Sequence, residues 1–272
     1  MAARSEELAS LAPPYEKLHV GEPASGVCEF RIDNPPLHIL DQTVRRGLGT
    51  LLLDLQQHEA VRCAIFASGP QAFCAGADMK EFPQRQDPRM ARAQGLNAHR
   101  MILALVDLDV PVIAAIRGAC MGGGLELALG CDYRIATPSA RLALPEVNRG
   151  VWPGTGGIVL LERLVGPSTA KRLLYTGETL DAQQALALGL VDEVVAEEDL
   201  DARARELATV IAARPFGSVR TISTLVDRDF RNVFRAHLQY ELERYVQVYQ
   251  SDDAKEGIRA FFEKRLPRWQ AE

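Results

Sequence analysis

Apolar positions along the chain follow two rhythms, short uninterrupted runs and stretches in which they recur every three or four residues. Val27 to Ile32 is the first short run and reads as a strand, stopped by Asp33-Asn34-Pro35-Pro36. Residues 41–58 carry Leu48, Leu51, Leu52 and Leu55 at helical spacing, with Asp41 as a candidate N-cap. Val61 to Ala67 is a second strand, closed by the turn Ser68-Gly69-Pro70. Pro88 to Leu108 predicts a helix whose pattern Gly95 interrupts. Val110 to Ile116 predicts a strand, apolar throughout and suited to burial on both faces.

Gly118 to Gly130 then holds the turn Gly122-Gly123-Gly124 and a short helical pattern from Leu125. Asp132 to Ala136 reads as a strand and is followed by a short run, Arg141 to Leu144. Helical segments are predicted at 156–164, 168–175 and 181–188, with one strand at Val191 to Val195. From Leu200 the pattern is wholly helical, and Phe234, Leu238, Leu242 and Tyr245 share one face. Strands alternating with helices over the first three-quarters give an α/β class. The boundary falls at 199/200: residues 1–199 form the core, and 200–272 either a second small domain or an assembly element.

Composition narrows the partners. The 272 residues are 47% hydrophobic and 25% charged, which is enough core material to exclude a disordered chain. Lys and Arg number 31 against 36 Asp and Glu, a net charge of -5 that gives no basic footprint for nucleic acid or an anionic membrane. Five scattered cysteines without a Cys-x-x-Cys point to reduced thiols. No apolar run reaches the roughly 20 residues of a membrane span. Met1 to Ser10 carries Glu6 and Glu7 and lacks the apolar region of a signal peptide, so a soluble, cytoplasmic protein is expected.

The obvious catalytic signatures are missing. No lysine follows Gly122-Gly123-Gly124 to make a Walker loop, and Val159 stands where Gly154-Thr155-Gly156-Gly157 would need a glycine for a dinucleotide fingerprint. There is no Gly-x-Ser-x-Gly elbow, and no His-x-x-x-His pair, so no catalytic metal is expected. Most of the five histidines read as surface or packing residues. The glycine triplet between a strand and a helix start either lets the backbone approach a ligand or is simply a tight turn. Glu126, inside Leu125-Glu126-Leu127-Ala128-Leu129, is either a partly buried carboxyl with a raised pKa or a solvated residue complementing the helix dipole. Glu146, after Pro145, reads on its own as a surface loop residue, and Asp78 as a helix cap after Ala75-Gly76-Ala77.

Taken together, these segments resemble the crotonase family of enoyl-CoA hydratases and isomerases. The resemblance is carried by Ala72-Phe73-Cys74-Ala75-Gly76-Ala77-Asp78-Met79-Lys80-Glu81, Gly122-Gly123-Gly124-Leu125-Glu126-Leu127-Ala128 with Cys131-Asp132, and Pro145-Glu146 leading to Pro153-Gly154-Thr155-Gly156-Gly157. Gly189-Leu190-Val191, and Glu256-Gly257 through Phe261-Phe262-Glu263-Lys264-Arg265, add to it, so it runs from about 27 to 268. It implies a spiral of ββα units with a C-terminal helical trimerisation region, assembling as trimers or as hexamers built from two trimers. It implies an oxyanion hole from the amides of Ala77 and Gly123, with Glu126 activating a water and Glu146 protonating C2 of a 2-enoyl-CoA. It places Ala75, Asp78, Met79, Lys80 and Gly122 beside the acyl-CoA, with Phe261 and Lys264 reaching in from a neighbouring subunit. No separate cofactor is implied, because coenzyme A is part of the substrate.

Departures from the family pattern bear on the acyl group. Ile158-Val159-Leu160-Leu161 replaces a common Thr-Gln-Arg-Leu, Trp152 stands where a smaller apolar residue is usual, and Asn34 to Leu40 looks shortened. Met79 and Trp152 are expected to line the acyl pocket, with an acyl group other than a simple straight chain. Within the family, double-bond isomerases keep an acid only at the position of Glu146, and dienoyl isomerases carry aspartate at that of Gly154. Both glutamates with Gly154 favour hydration, and isomerisation is the alternative. RNA binding, known in one branch, would need a basic stripe, and residues 41–58 offer Arg45 and Arg46 against Asp41 and Asp54.

Overall fold

A computed structural model describes residues 15–21 and 25–269. The leader Pro13-Pro14 and the stretch Met1 to Ser10 lie outside the described residues. From residue 63 to residue 143 the strands are dealt alternately to two sheets. The larger has the order β1 (Leu18–Val20), β2 (Val27–Ile32), β3 (Cys63–Ala67), β5 (Val112–Ile116), β7 (Tyr133–Ala136) and β10 (Glu193–Val194). The smaller has the order β4 (Ala72–Cys74), β6 (Ala119–Met121), β8 (Arg141–Ala143) and β9 (Leu180–Asp181). Pairing is parallel except at β1/β2 and β8/β9.

The helices are α1 (Gln42–Gln57), α2 (Pro88–Val106), α3 (Gly123–Leu129), α4 (Gly157–Thr176), α5 (Ala182–Ala187), α6 (Leu200–Ala212), α7 (Phe216–Val248) and α8 (Asp252–Phe262). The units β3-β4-α2, β5-β6-α3 and β7-β8-α4 thus each send one strand to each sheet before their helix, the ββα repeat that the resemblance implied. Asp41 caps α1 as expected, accepting from the Val44 amide at 2.9 Å. The two helices expected at 156–164 and 168–175 form α4, broken at Gly166 (φ 74°) just before Pro167. Four strands escaped the sequence reading as strands, namely β1, β4, β6 and β9. Each has three residues or fewer, too short for a periodic signal.

Strands β3 and β5 are buried on both faces, which explains their unbroken apolar runs. Phe66 and Ala64 of β3 face the main core with Leu48, Leu52 and Leu55 of α1. Cys63, Ile65 and Ala67 face the other way, onto Leu200, Ala204, Ala208 and Ala212 of α6. Small side chains every fourth residue let α6 lie close on the sheet. Of the helical region from Leu200, α6 thus covers the larger sheet, and α7 places Phe234 and Leu238 in the main core. All five cysteines are buried free thiols. Among the described residues, no helix is long and apolar enough to cross a membrane.

Candidate active site

The ends of β4 and β6 meet where the two glycine-containing segments turn. Gly76 adopts φ 93°, and a Cβ there would sit 2.8 Å from the Met121 carbonyl and 3.5 Å from the Gly123 nitrogen. Gly122 adopts φ 52°, and a Cβ there would meet Glu146 Oε1 at 2.9 Å. Both positions demand glycine, for backbone angle and for space together. The Gly76 carbonyl accepts from the Leu40 amide at 2.8 Å, and the Gly122 amide donates to Ala143 at 2.9 Å. The next amide in each segment, Ala77 and Gly123, borders a cavity of about 590 Å³.

Glu126 lies on α3 with 3% of its surface exposed, which excludes the solvated reading. Its Oε1 accepts from the amides of Thr155 at 2.7 Å and Gly157 at 3.0 Å. Burial, and then the charge of Glu241, push its carboxyl up, against the pull of those two amides. Glu146 opens the 3-10 turn Glu146–Arg149, and its Oε2 is buried without a hydrogen-bond partner. Burial raises its carboxyl too, with the charge of Glu126 adding to the shift and Arg149 opposing it. The surface-loop reading fails for the Glu146 carboxyl, whose Oε1 faces Gly122 and whose Oε2 is buried, although Val147 and Asn148 of the same turn are exposed.

Sequence reasoning missed what holds this arrangement from behind. Glu241 of α7 is buried, and its Oε1 accepts from the Gly156 amide at 3.0 Å and from His99 Nε2 at 3.1 Å. His99 Nε2 also lies 3.0 Å from the Gly154 carbonyl. Both neighbours are acceptors, so Nε2 carries the proton. His237 reaches the other Glu241 oxygen at 3.2 Å. Burial alone would raise the Glu241 carboxyl, but the bonds from His237, His99 and Gly156 outweigh it and hold it low, hence charged. The segment whose amides grip Glu126 is thus tied to α2 and α7. A signal existed, since Glu241 shares the buried face of Phe234, Leu238, Leu242 and Tyr245.

The structure gathers nearly all the residues expected from the sequence around this cavity. Ala75, Ala77, Asp78, Met79, Lys80, Gly122, Gly123, Trp152 and Gly154 border it with both glutamates. Asp78 is also the cap it was read as, accepting from the Lys80 amide at 2.9 Å. Gly154 leaves room for Tyr245, whose ring would lie 2.4 Å from a Cβ there. Within the single chain, Phe261 lines this cavity with Phe262 beside it. Lys264 lies beyond α8, exposed and outside the lining. The cause is Gly257, where a Cβ would stand 2.3 Å from the Arg149 carbonyl. Its lack of a side chain lets α8 lie on the Glu146–Arg149 turn, and the Phe261 ring sits 5.1 Å from the Arg149 guanidinium.

The profile of the enoyl-CoA hydratase/isomerase family matches residues 22–272. The chain belongs to the crotonase family. It is 37% identical over 201 residues to the crotonyl-CoA hydratase of Syntrophomonas wolfei, covering 74% of this chain and 77% of that one. It is 35% identical over 230 residues to the short-chain-enoyl-CoA hydratase of Clostridium acetobutylicum, covering 84% and 88%. Among solved structures, Pseudomonas aeruginosa DspI matches with a TM-score of 0.76 at 36% identity, covering 94% of this chain and 97% of that one. The two glycine turns and both glutamates lie within the matched residues 22–272.

Proposed function

We propose that this crotonase-family enzyme hydrates 2-enoyl-CoA thioesters. The observation that carries the reading is a pair of carboxyls on one cavity between two glycine turns, Glu126 buried and Glu146 half-buried with its Oε2 shielded from solvent. In this reading the thioester carbonyl accepts from the amides of Ala77 and Gly123, each such donor contributing about 2.7–4 kcal/mol to developing enolate charge. Glu126, fixed through Oε1, takes a proton from water as its oxygen bonds to C3. The electron pair of the C2–C3 double bond moves into the thioester enolate. Glu146 then returns a proton to C2, and the 3-hydroxyacyl-CoA leaves. Hydration exchanges no electrons, so the proposal calls for no redox partner and no resident cofactor. Lys80, Phe261 and Arg149, which line the same cavity, suit a phosphate-bearing, adenine-bearing ligand.

Assembly as a homotrimer, or a pair of trimers, belongs to the same proposal. Ile222, Leu225, Val226, Val233 and Tyr240 of α7 are exposed and fall on one helical stripe, a face that a second copy of this chain would bury. The mildly acidic chain, with Arg45 paired to Glu81 rather than free for RNA, is read as a cytoplasmic enzyme without a nucleic-acid or membrane partner.

The test follows the conjugated enoyl-thioester absorbance with purified protein. Loss of absorbance with formation of 3-hydroxyacyl-CoA, abolished by Glu126→Gln, is the expected result. No loss from any 2-enoyl-CoA, with conjugation appearing from a 3-enoyl-CoA, would make it an isomerase instead.

A further inference from the structure

The cavity that holds the glutamates is not finished in hydrocarbon. Ala98 and Met101 of α2 line it, but so do Arg85, Gln94 and Tyr249. Arg85 belongs to the 3-10 segment Met79–Gln86 and is 4% exposed. Its Nε donates to Gln94 Oε1 at 2.8 Å, and its Nη1 to the Tyr249 hydroxyl at 2.7 Å. The guanidinium carbon lies 4.1 Å from the Phe82 ring centre and 5.2 Å from that of Tyr249. Neutral groups therefore fix its plane.

Its counter-charge is incomplete. The nearest carboxylate to Nη2 is Glu81 Oε2 at 3.7 Å, beyond hydrogen-bond reach. That carboxylate is already engaged by Arg45 Nη1 at 2.7 Å, and by the Gln42 amide at 2.8 Å on its other oxygen. Arg45 also lines the cavity and is 4% exposed. Two buried guanidiniums share one carboxylate, so this wall keeps one positive charge in excess. Asp78 spends Oδ1 on its cap, and Glu126 and Glu146 sit at the reactive end, where burial favours their neutral forms. A buried charge without a partner is costly, and a guanidinium with an open N–H is a carboxylate receptor.

We propose that the acyl group taken by this cavity ends in a carboxylate, received by the open Nη2 edge of Arg85 against the Gln94 and Tyr249 that hold its plane. The substrate class is then the ω-carboxylated 2-enoyl-CoA, the monothioester of an unsaturated dicarboxylic acid. This rests on reading the cavity as an acyl-CoA site.

The experiment compares 2-hexenedioyl-CoA with 2-hexenoyl-CoA in hydration, and their saturated counterparts in calorimetric binding. A charged hydrogen bond of ordinary strength predicts a preference of roughly ten- to a hundred-fold for the carboxylated member in both measurements. Arg85→Gln should erase that preference. Equal or reversed preference in the unaltered protein overturns the proposal and leaves hydration standing. Preferential binding without hydration of either substrate supports the receptor and overturns the hydratase reading. A folded Arg85→Gln that keeps the full preference overturns the assignment to Arg85. If that variant does not fold, the comparison in the unaltered protein decides.

Discussion

Glu126 and Glu146 are both pushed up by burial, yet they are held differently. Two backbone amides bind Glu126 Oε1, whereas Glu146 Oε2 has no partner. Facing one cavity, the two titrate as a pair, with apparent values of about 7 and about 8. Below the lower value the pair is fully protonated and has no base to take the proton of water. Above the higher value it is fully ionised and has no proton to give. Hydration kcat/KM should therefore peak between these values, and initial rates against pH would check it.

Glu146→Gln should cost about 10²–10⁴-fold in turnover, measured on 2-enoyl-CoA, and should remove the alkaline limb. The same substitution should stabilise the protein in alkaline solution. A carboxyl whose folded pKa lies above its unfolded one makes the folded state progressively less stable as pH rises between the two. Glutamine has no such penalty, so its melting temperature should exceed that of the parent well above pH 8. The gain should vanish in acid below the ordinary carboxylate range, as scanning calorimetry would show.

Among the elements, α8 shows how one contact decides an address. Its face is set by Ser251, which caps it by accepting from the Ala254 amide at 3.1 Å, and by Gly257 against the Arg149 backbone. Gly257→Ala must lift α8 off the Glu146–Arg149 turn, and overpacking of this kind costs typically 1–3 kcal/mol. Phe261 and Phe262 would move with it. The expected outcome is a lower melting temperature and a raised KM for the CoA thioester, with kcat changed less.

Periodicity made the larger elements legible. The apolar runs of β3 and β5 and the leucine stripe of α1 each report a local burial pattern within a few residues. It could not show that β3 faces two different cores, nor that α6 belongs to the sheet, since both depend on what packs across from it.

At the scale of the molecule, α7 joins two tasks. One stretch buries Phe234, Leu238, Glu241 and Tyr245 against the core and the site, while Ile222, Leu225 and Val226 of the same helix stay exposed. Replacing Ile222 and Val226 together by aspartate should break the proposed assembly without altering the core. Sedimentation velocity should then show a smaller species than the parent. If the parent itself sediments as a monomer, the assembly proposal fails.

The sequence by itself determined the alternation of strands and helices, the glycine turns at 76 and 122–124, and the family to which both glutamates belong. These are encoded within a dozen residues at a time, through backbone angle, apolar spacing and motif order. The tertiary structure decided how those residues are charged and what they face. Glu126 is raised by burial and then by the charge of Glu241, His99 ties Glu241 to the Gly154 carbonyl, and Arg85 reaches Tyr249 across 164 positions of chain. Desolvation and Coulomb interactions depend on distance in space, and only the folded chain brings such remote groups within hydrogen-bond reach.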